Sequence, residues 1–196
     1  MRRGLDRAAV VEAAEVLVDR DGWAFLTMTA LAGDLGVRGP SLYSHVESLE
    51  GLLGMVQTRA LAELGSDLQR AVMGRSGADG IRAIASALRV FATGHPGRYE
   101  LAMSEPIDRP ALQAAALAAG EALRAVVESV GAPMSNELAF SCLSVLHGVL
   151  ALDRAGLYRG AVVDVDAVYE QATELVVKVV ERAAAAHVSG GVGGAR

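Results

Sequence analysis

A chain of 196 residues with 52% hydrophobic but only 4% aromatic side chains has material for one or two domains, with a core built mainly of Ala, Val and Leu. Its formal net charge of −5 argues against DNA affinity driven by overall charge, and its single cysteine, Cys142, excludes an intramolecular disulfide. Long segments rich in Ala, Leu, Glu and Arg, with few alternating β-branched runs, predict an all-α protein.

The two ends of the chain carry little functional signal. Charge interrupts residues 1–22 at every turn, which indicates neither a signal peptide nor a membrane helix. Residues 189–196 are rich in glycine and are expected to form a disordered tail. Because the single cysteine cannot form an intramolecular disulfide, we expect a protein of the reducing cytoplasm.

Motifs that carry chemistry are missing from the sequence. We find no phosphate-binding loop, no metal-ligand spacing and no nucleophile elbow. The histidines have no nucleophile or acid at a defined spacing. We therefore expect no enzymatic activity, no metal and no cofactor.

The first predicted helix, over residues 5–21, has apolar residues at helical spacing on one face. Gly22 ends it. Trp23, Phe25 and Leu26 follow, and we expect them to close a small core with the next two helices.

Residues 27–46 predict two short helices joined by a tight turn. Thr27 is a suitable N-cap, Gly36 a suitable end for the first helix, and Pro40 occupies a position where the missing amide of a second helix costs least. Leu42 and Val46, four residues apart, anchor the second helix and leave its polar residues outside. This pattern is a helix-turn-helix, whose second helix can enter the major groove of DNA.

Glycine and proline divide the remaining chain into helices, at 48–73, 79–94, 96–104, 109–130, 135–158 and 165–188. We expect a DNA-binding domain over 1–47, a ligand-binding and dimerisation domain over 48–188, and the tail after it. The helix at 48–73, capped by Ser48, connects the two domains.

The last two helices are apolar on several sides. Such helices are covered from several directions, either at the centre of one bundle or by a second subunit. We favour a homodimer through these helices, because two-fold symmetry lets a helix-turn-helix protein contact two half-sites.

Residues 26–56 resemble the DNA-binding domain of the tetracycline-repressor (TetR) family. The matching features are Thr27, Ala32, the Leu35-Gly36-Val37 turn and the Leu-Tyr-x-His-Val pattern at 42–46. Residues 91–106 and 144–158 also resemble a C-terminal regulatory domain named for a Trp-His-Gly motif, with His147-Gly148 in place but no preceding Trp. The resemblance implies an all-α fold of about nine helices that dimerises through its last two.

The resemblance also implies which residues contact DNA. Small hydroxyls, the short start of the second helix and a single arginine suit phosphate and base contacts. The implied residues are Thr27, Thr29, Arg38, Gly39, Pro40, Ser41, Tyr43, Ser44 and His45.

The charge count of residues 1–50 leaves an alternative function open. Residues 1–50 contain five basic and eight acidic side chains, and the family's lysine near the start of the fourth helix is replaced by Glu47-Ser48-Leu49-Glu50. An arm at Arg2 and Arg3 could still reach DNA. The alternative is a dimeric small-molecule-binding module with weak or lost DNA affinity.

Helices rich in Ala and Gly in the C-terminal part leave room for a mostly apolar effector pocket. Its candidate lining residues are Phe91, His95, Tyr99, Met103, Phe140, Leu143 and His147. Each of them, taken singly, is nearly as well explained by ordinary core packing. Together these interpretations predict a ligand-responsive repressor that binds a palindromic double-stranded DNA operator as a homodimer and is released by a small-molecule effector.

Overall fold

The computed structural model describes residues 5–131, 135–160 and 162–191. These residues form nine α-helices and a single 3-10 turn at Trp23–Phe25, as the all-α prediction requires. The helices are α1 Arg7–Asp21, α2 Met28–Leu35, α3 Gly39–Leu42, α4 Leu49–Val72, α5 Gly77–Gly94, α6 Pro96–Ala102, α7 Arg109–Glu128, α8 Asn136–Arg154 and α9 Val165–Gly191. In this part of the chain, no helix combines the length and apolarity needed to cross a membrane.

Side-chain caps account for several helix starts. Thr27 Oγ1 accepts a hydrogen bond from Ala30 N (3.1 Å), and Ser48 Oγ accepts one from Gly51 N (2.9 Å). Ser135 does the same for Leu138 N at the start of α8 (3.2 Å). These bonds satisfy amide groups that have no partner inside the helix, so α2 and α4 start where the sequence predicts.

Three helix ends differ from the prediction by about three residues or more. Helix α3 is regular only over Gly39–Leu42, and α8 ends at Arg154, not at residue 158, because a turn with Gly156 at φ 75° follows it. Helix α9 continues to Gly191, past the predicted start of the tail at residue 189. Residues 192–196, and the Arg2–Arg3 arm, lie outside the described residues.

Packing divides the chain into two compact units that differ from the predicted domains. The first unit contains the chain up to Leu64 together with Phe91–Ala118, and the second contains Gly65–Val90 and the chain from Ala119 onward. Thus α6 packs in the same unit as the helix-turn-helix although it follows far behind it in sequence. The functional boundary after residue 47 stays a prediction.

The core of the first unit joins α1, α2, α3, the first half of α4 and α6. Leu31, Leu42 and Leu101 are fully buried in it, and Trp23 packs against its edge while donating a hydrogen bond from Nε1 to Glu100 (3.3 Å). The expectation that Phe25 closes this core is wrong, since its side chain is 74% exposed. Both aromatic residues lie in one short 3-10 turn, which directs only Trp23 inward.

A fully buried amide side chain holds the segment after α6. Gln57 Nε2 donates to the carbonyl oxygens of Leu101 (2.9 Å) and Glu105 (3.1 Å), and Gln57 Oε1 accepts from Ile107 N (3.0 Å). Both ends of the amide are therefore satisfied inside the core, as burial requires. Helix α4 thus fixes the course of the α6–α7 connection.

Close packing between helices, together with a hydrogen bond and an ion pair to α9, stabilises the second unit. A Cβ at Gly80 would lie 2.7 Å from Val126, so α5 and α7 pack with almost no space between them. Tyr169 of α9 donates its hydroxyl to the Ala85 carbonyl of α5 (2.8 Å), and Arg82 forms a two-bond ion pair with Glu174 (2.6 and 2.9 Å).

Candidate DNA-reading surface and effector residues

The turn between α2 and α3 has the hydrogen bonds of a Schellman motif. Gly36 adopts φ 65°, its N–H donates to Gly33 O (3.1 Å), and Val37 N donates to Ala32 O (2.9 Å). A side chain at residue 36 would be strained in this left-handed conformation. The turn directs the chain from α2 into α3 as the sequence predicts.

The recognition segment, residues 39–45, is one helical turn followed by a looser turn. Leu42 is fully buried and Val46 nearly so, and Val46 N donates to Leu42 O (3.0 Å). Ser44 Oγ donates to the carbonyl of Ser41 (2.7 Å), a local bond that competes with regular helix. The segment is therefore anchored by two apolar side chains, with its polar side chains on the other side.

The structure leaves most of the predicted DNA contacts accessible. Thr27, Thr29, Arg38, Pro40, Ser41, Tyr43 and Ser44 are exposed, while Gly39 and His45 are half-buried. Tyr43, a large side chain, is 56% exposed. Nothing lies within 4 Å of a Cβ built at Gly39, so the backbone there is open to a close approach.

One residue that sequence reasoning did not single out holds this segment in place. Arg7 Nε, at the start of α1, donates to the carbonyl oxygen of His45 (3.0 Å) across 38 positions of sequence. A guanidinium is a favourable partner for a carbonyl at the end of a helical turn. No local pattern predicts this contact, because it depends on how α1 crosses the recognition segment.

The net charge of residues 1–50 does not describe where the charged side chains of the first unit lie. Asp19 and Glu15 are partly or fully buried and paired with Arg98 and Arg59, which come from beyond residue 50. In contrast, the Arg38 side chain is exposed and makes no hydrogen bond or ion pair with any described residue, while the Arg38 carbonyl accepts a hydrogen bond from Ser41 N (2.9 Å). The acidic excess of residues 1–50 therefore overstates the negative charge near the recognition segment.

The predicted effector residues of the first unit lie in or beside its core. Phe91 and Tyr99 are buried, and the Phe91 and His95 rings meet edge to face with centroids 5.2 Å apart. His95 Nδ1 lies 3.2 Å from Asp19 Oδ2 and next to Arg98. Met103 is exposed at the end of α6.

The three predicted effector residues of the second unit lie on α8. Leu143 and His147 are half-buried, and burial lowers the pKa of His147, which favours the neutral imidazole. Phe140 is 71% exposed, on the side of α8 away from its buried stripe of Cys142, Leu146 and Leu150. Whether any of the seven predicted residues contacts an effector stays a prediction.

Metal ligation has no geometric basis in residues 5–131, 135–160 and 162–191, where no group of three or more His, Cys, Asp or Glu side chains could hold an ion.

Comparisons with known proteins agree with this arrangement. The family description "Tetracyclin repressor-like, C-terminal domain" matches residues 81–189. An uncharacterized HTH-type transcriptional regulator of Mycobacterium tuberculosis, Rv0681, is 38% identical over 180 residues, which cover 89% of this chain and 79% of that protein. An uncharacterized HTH-type regulator of Bacillus subtilis, YobS, is 32% identical over 108 residues, covering 55% of this chain and 56% of that protein.

Solved structures show the same fold. A Rhodococcus protein of unknown function superimposes with a TM-score of 0.73 at 22% identity, over 91% of this chain and 96% of the other. The Q116A variant of TetR from Acinetobacter baumannii, solved in complex with minocycline, gives a TM-score of 0.67 at 19% identity, over 91% and 97%. Transcriptional regulators of the TetR family bind DNA and small-molecule effectors and are not enzymes. The recognition segment is anchored by Leu42 and Val46, the repressor-like C-terminal domain matches residues 81–189, and a relative is 38% identical over 89% of this chain, so this chain belongs to the TetR family of helix-turn-helix transcriptional regulators.

Proposed function

We propose that this protein is a cytoplasmic, ligand-responsive repressor that binds a palindromic operator as a homodimer and is released by a small molecule. The observation that carries the proposal is that one chain contains both features. Its recognition segment is anchored by buried side chains and faces outward, and its last two helices carry an exposed apolar face. The first feature suits groove binding, and the second suits a two-fold interface that would present two recognition segments.

The proposed DNA contacts are the nine residues implied by the sequence. Arg38, exposed and unpaired among the described residues, suits a guanine or a phosphate, and the hydroxyls of Thr27, Thr29 and Tyr43 suit phosphates. Gly39 supports a close approach of the backbone, because no neighbour fills the space beside it.

The proposed dimer face lies on α8 and α9, which pack against each other in the second unit. Phe140 and Leu152 of α8, and Leu175 and Val179 of α9, are 71%, 44%, 58% and 45% exposed. Phe140, Ser144 and Gly148 follow at four-residue spacing on one side of α8, and Gly148 leaves open space beside the backbone. An exposed apolar face of this kind marks an association surface, and we assign Phe140 to it rather than to the effector site.

The other predicted residues remain proposed effector contacts, with Phe91, His95, Tyr99 and Met103 in the first unit and Leu143 and His147 in the second. Family membership supports effector binding in general, and the lowered pKa of His147 would present a neutral imidazole to an uncharged or weakly polar ligand. The effector would shift DNA affinity only by the difference in its affinity for the bound and released states of the protein.

The dimer is tested by sedimentation of Leu175→Glu, which places a charge on an exposed position and should leave each subunit folded. Met73→Glu is the matched control, since Met73 is 72% exposed outside this face. Wild type and Met73→Glu are expected to sediment as dimers and Leu175→Glu as monomers. A monomeric wild type would exclude the proposed dimer.

DNA binding is tested by gel-shift titration against the region upstream of the protein's own gene. Salt-sensitive, competitor-resistant binding that is weakened at least about tenfold by Arg38→Ala would support the proposed contacts. A dimer that binds no such DNA at any salt concentration would favour the alternative, a small-molecule-binding module that has lost its operator.

A further inference from the structure

Two arginines flank the recognition segment, residues 39–45. Residues 5–50 contain three arginines and no lysine, and one of the three, Arg20, is paired with two carboxylates. Arg38 directly precedes the segment, and Arg7 reaches the other end of the segment from α1. The two cations that remain without an anionic partner among the described residues therefore lie at the two ends of the segment.

The Arg7 guanidinium uses only one of its three nitrogens inside the protein. Nε donates to His45 O (3.0 Å), whereas the two terminal nitrogens make no hydrogen bond or ion pair with any described residue. Arg7 is exposed. Since a guanidinium has five donors in one plane, Arg7 can hold the carbonyl and still present its terminal N–H groups to an anion.

Carboxylates near Arg7 decide which anion can bind there. Asp6 caps α1 by accepting a hydrogen bond from Ala9 N (2.8 Å), and Glu50 lines the same groove as Arg7. Neither pairs with Arg7, but their charges oppose an anion, so this edge of the first unit has no positive excess. Attraction by net charge therefore does not bring a small free anion to Arg7. An anion that other contacts already hold beside the recognition segment can still accept directed hydrogen bonds from Arg7.

Duplex DNA supplies such an anion when the recognition segment enters the major groove. This groove is about 12 Å wide and is bordered by the phosphates of both strands. A side chain at the end of the segment thus lies near the edge of the groove, and a guanidinium can bind a phosphate through two parallel hydrogen bonds.

We propose that Arg7 is a further DNA contact, whose terminal nitrogens bind a backbone phosphate while Nε holds the His45 carbonyl. One guanidinium then fixes the end of the recognition segment relative to the DNA backbone. Phosphate contacts of this kind set the register of a protein on the duplex without reading bases. The inference rests on the proposed placement of the recognition segment in the groove, and needs neither the repressor role nor an effector.

The phosphate contact is tested by the salt dependence of binding to a short mixed-sequence DNA duplex, because such a contact does not depend on sequence. Arg7→Gln is expected to weaken binding about tenfold and to reduce the slope of log affinity against log salt by about 0.9, the value for one phosphate. Arg7→Lys keeps the charge and should keep the slope. Arg75→Gln, at an exposed arginine of the second unit, is the matched control and should also keep it. An unchanged slope in Arg7→Gln would overturn the proposal.

The contact to the carbonyl is tested by amide hydrogen exchange without DNA. His45 N and Val46 N both donate to Leu42 O (2.9 and 3.0 Å), so their exchange reports on the end of the segment. Arg7→Lys places a methylene group where Nε lies. Both amides should therefore exchange about fivefold faster in Arg7→Lys and in Arg7→Gln, with an unchanged melting transition. Wild-type exchange in both variants would show that Arg7 does not hold the segment, and would overturn the proposal.

Nitrogen-15 spectra of the wild-type protein give a third measurement that needs no variant. Rotation of the terminal N–H groups of Arg7 is expected to slow when the duplex is added, and unchanged rotation in the complex would overturn the proposal. A protein that binds no duplex at any salt concentration would remove the proposed function together with this contact. Binding with the wild-type slope in Arg7→Gln would remove this contact alone.

Discussion

A Cβ built on Gly97 would lie only 1.8 Å from the carbonyl oxygen of Val18. The backbone of α6 therefore touches the last turn of α1 directly, with no side chain between them. Next to this contact, the Arg98 amide and its Nε donate to the two carboxylate oxygens of Asp19 (2.9 and 2.7 Å). A direct backbone contact and an ion pair thus hold α6 against α1, the first helix of the predicted DNA-binding domain.

The first prediction concerns this contact. Gly97→Ala should destabilise the protein by about 3 kcal/mol or more, because a backbone carbonyl cannot move aside as a flexible side chain can. Gly94→Ala is the control: a Cβ there meets nothing within 4 Å, and the change should stabilise by up to about 1 kcal/mol. Urea unfolding measures both, and equal stability of the two variants would show that α6 can separate from α1 at little cost.

The second prediction concerns the ion pairs of Arg98, whose side chain is 9% exposed. Its Nε donates to Asp19 and its Nη1 to Glu63 (2.6 Å), so Arg98→Met leaves two carboxylates without their cation. We expect a loss of about 2 kcal/mol, less than for a fully buried pair because Glu63 is half exposed.

A double-mutant cycle with Asp19→Asn checks the assignment. The double variant should be more stable than the sum of the single losses indicates, since the neutral amide that replaces the Asp19 carboxylate no longer needs the cation. Arg20→Met is the surface control, because Arg20 pairs with Asp21 and Asp34 in solvent and should matter little. Strictly additive losses at Arg98 and Asp19 would contradict the pairing.

The third prediction concerns the pH dependence of stability. Desolvation raises the pKa of Glu15 above its ordinary value of 4.5, and this outweighs the opposing effect of Arg59. The folded state therefore binds the Glu15 proton more tightly than the unfolded state does, and this contribution is lost as pH rises from 4.5 through the folded pKa.

Glu15→Gln keeps the size of the side chain and removes this titration. Its stability relative to wild type should increase as pH rises above 4.5, and urea unfolding at pH 4 to 7 measures the difference. Glu12→Gln, an exposed position one turn earlier, is the control and should follow wild type. A constant difference between Glu15→Gln and wild type across this range would show that Glu15 does not titrate there.

Local signals in the sequence were sufficient to predict the elements that depend on neighbouring residues. Thr27, Gly36 and Ser48 act within four positions of themselves, and the structure confirms each cap and turn. The all-α fold and the family follow from the same kind of pattern. Glycine and proline positions predicted the number of helices, because both residues act on the backbone directly.

Contacts between distant positions were not predictable in the same way. Nothing near Arg7 indicates that its partner is the His45 carbonyl, and nothing near Gly97 indicates that Val18 touches it. The sequence around Gln57 indicates an ordinary polar position on α4. In the structure its side chain is fully buried and hydrogen-bonded to the α6–α7 connection. These residues hold the candidate DNA-reading surface in place, and their roles become visible only when the helices are packed.

The last prediction concerns the start of the recognition segment. Gly39 has no positive φ, and a Cβ there would meet nothing within 4 Å, so Gly39→Ala should fold as wild type does. If the backbone at residue 39 approaches DNA closely, the added methyl group overpacks the interface and should weaken operator binding about tenfold. Gly120→Ala is the control, since it adds the same methyl group to an open position inside α7 and should leave DNA binding unchanged. Gel-shift titration of both variants on one operator makes the comparison, and wild-type affinity in Gly39→Ala would mean that DNA does not approach the protein at this residue.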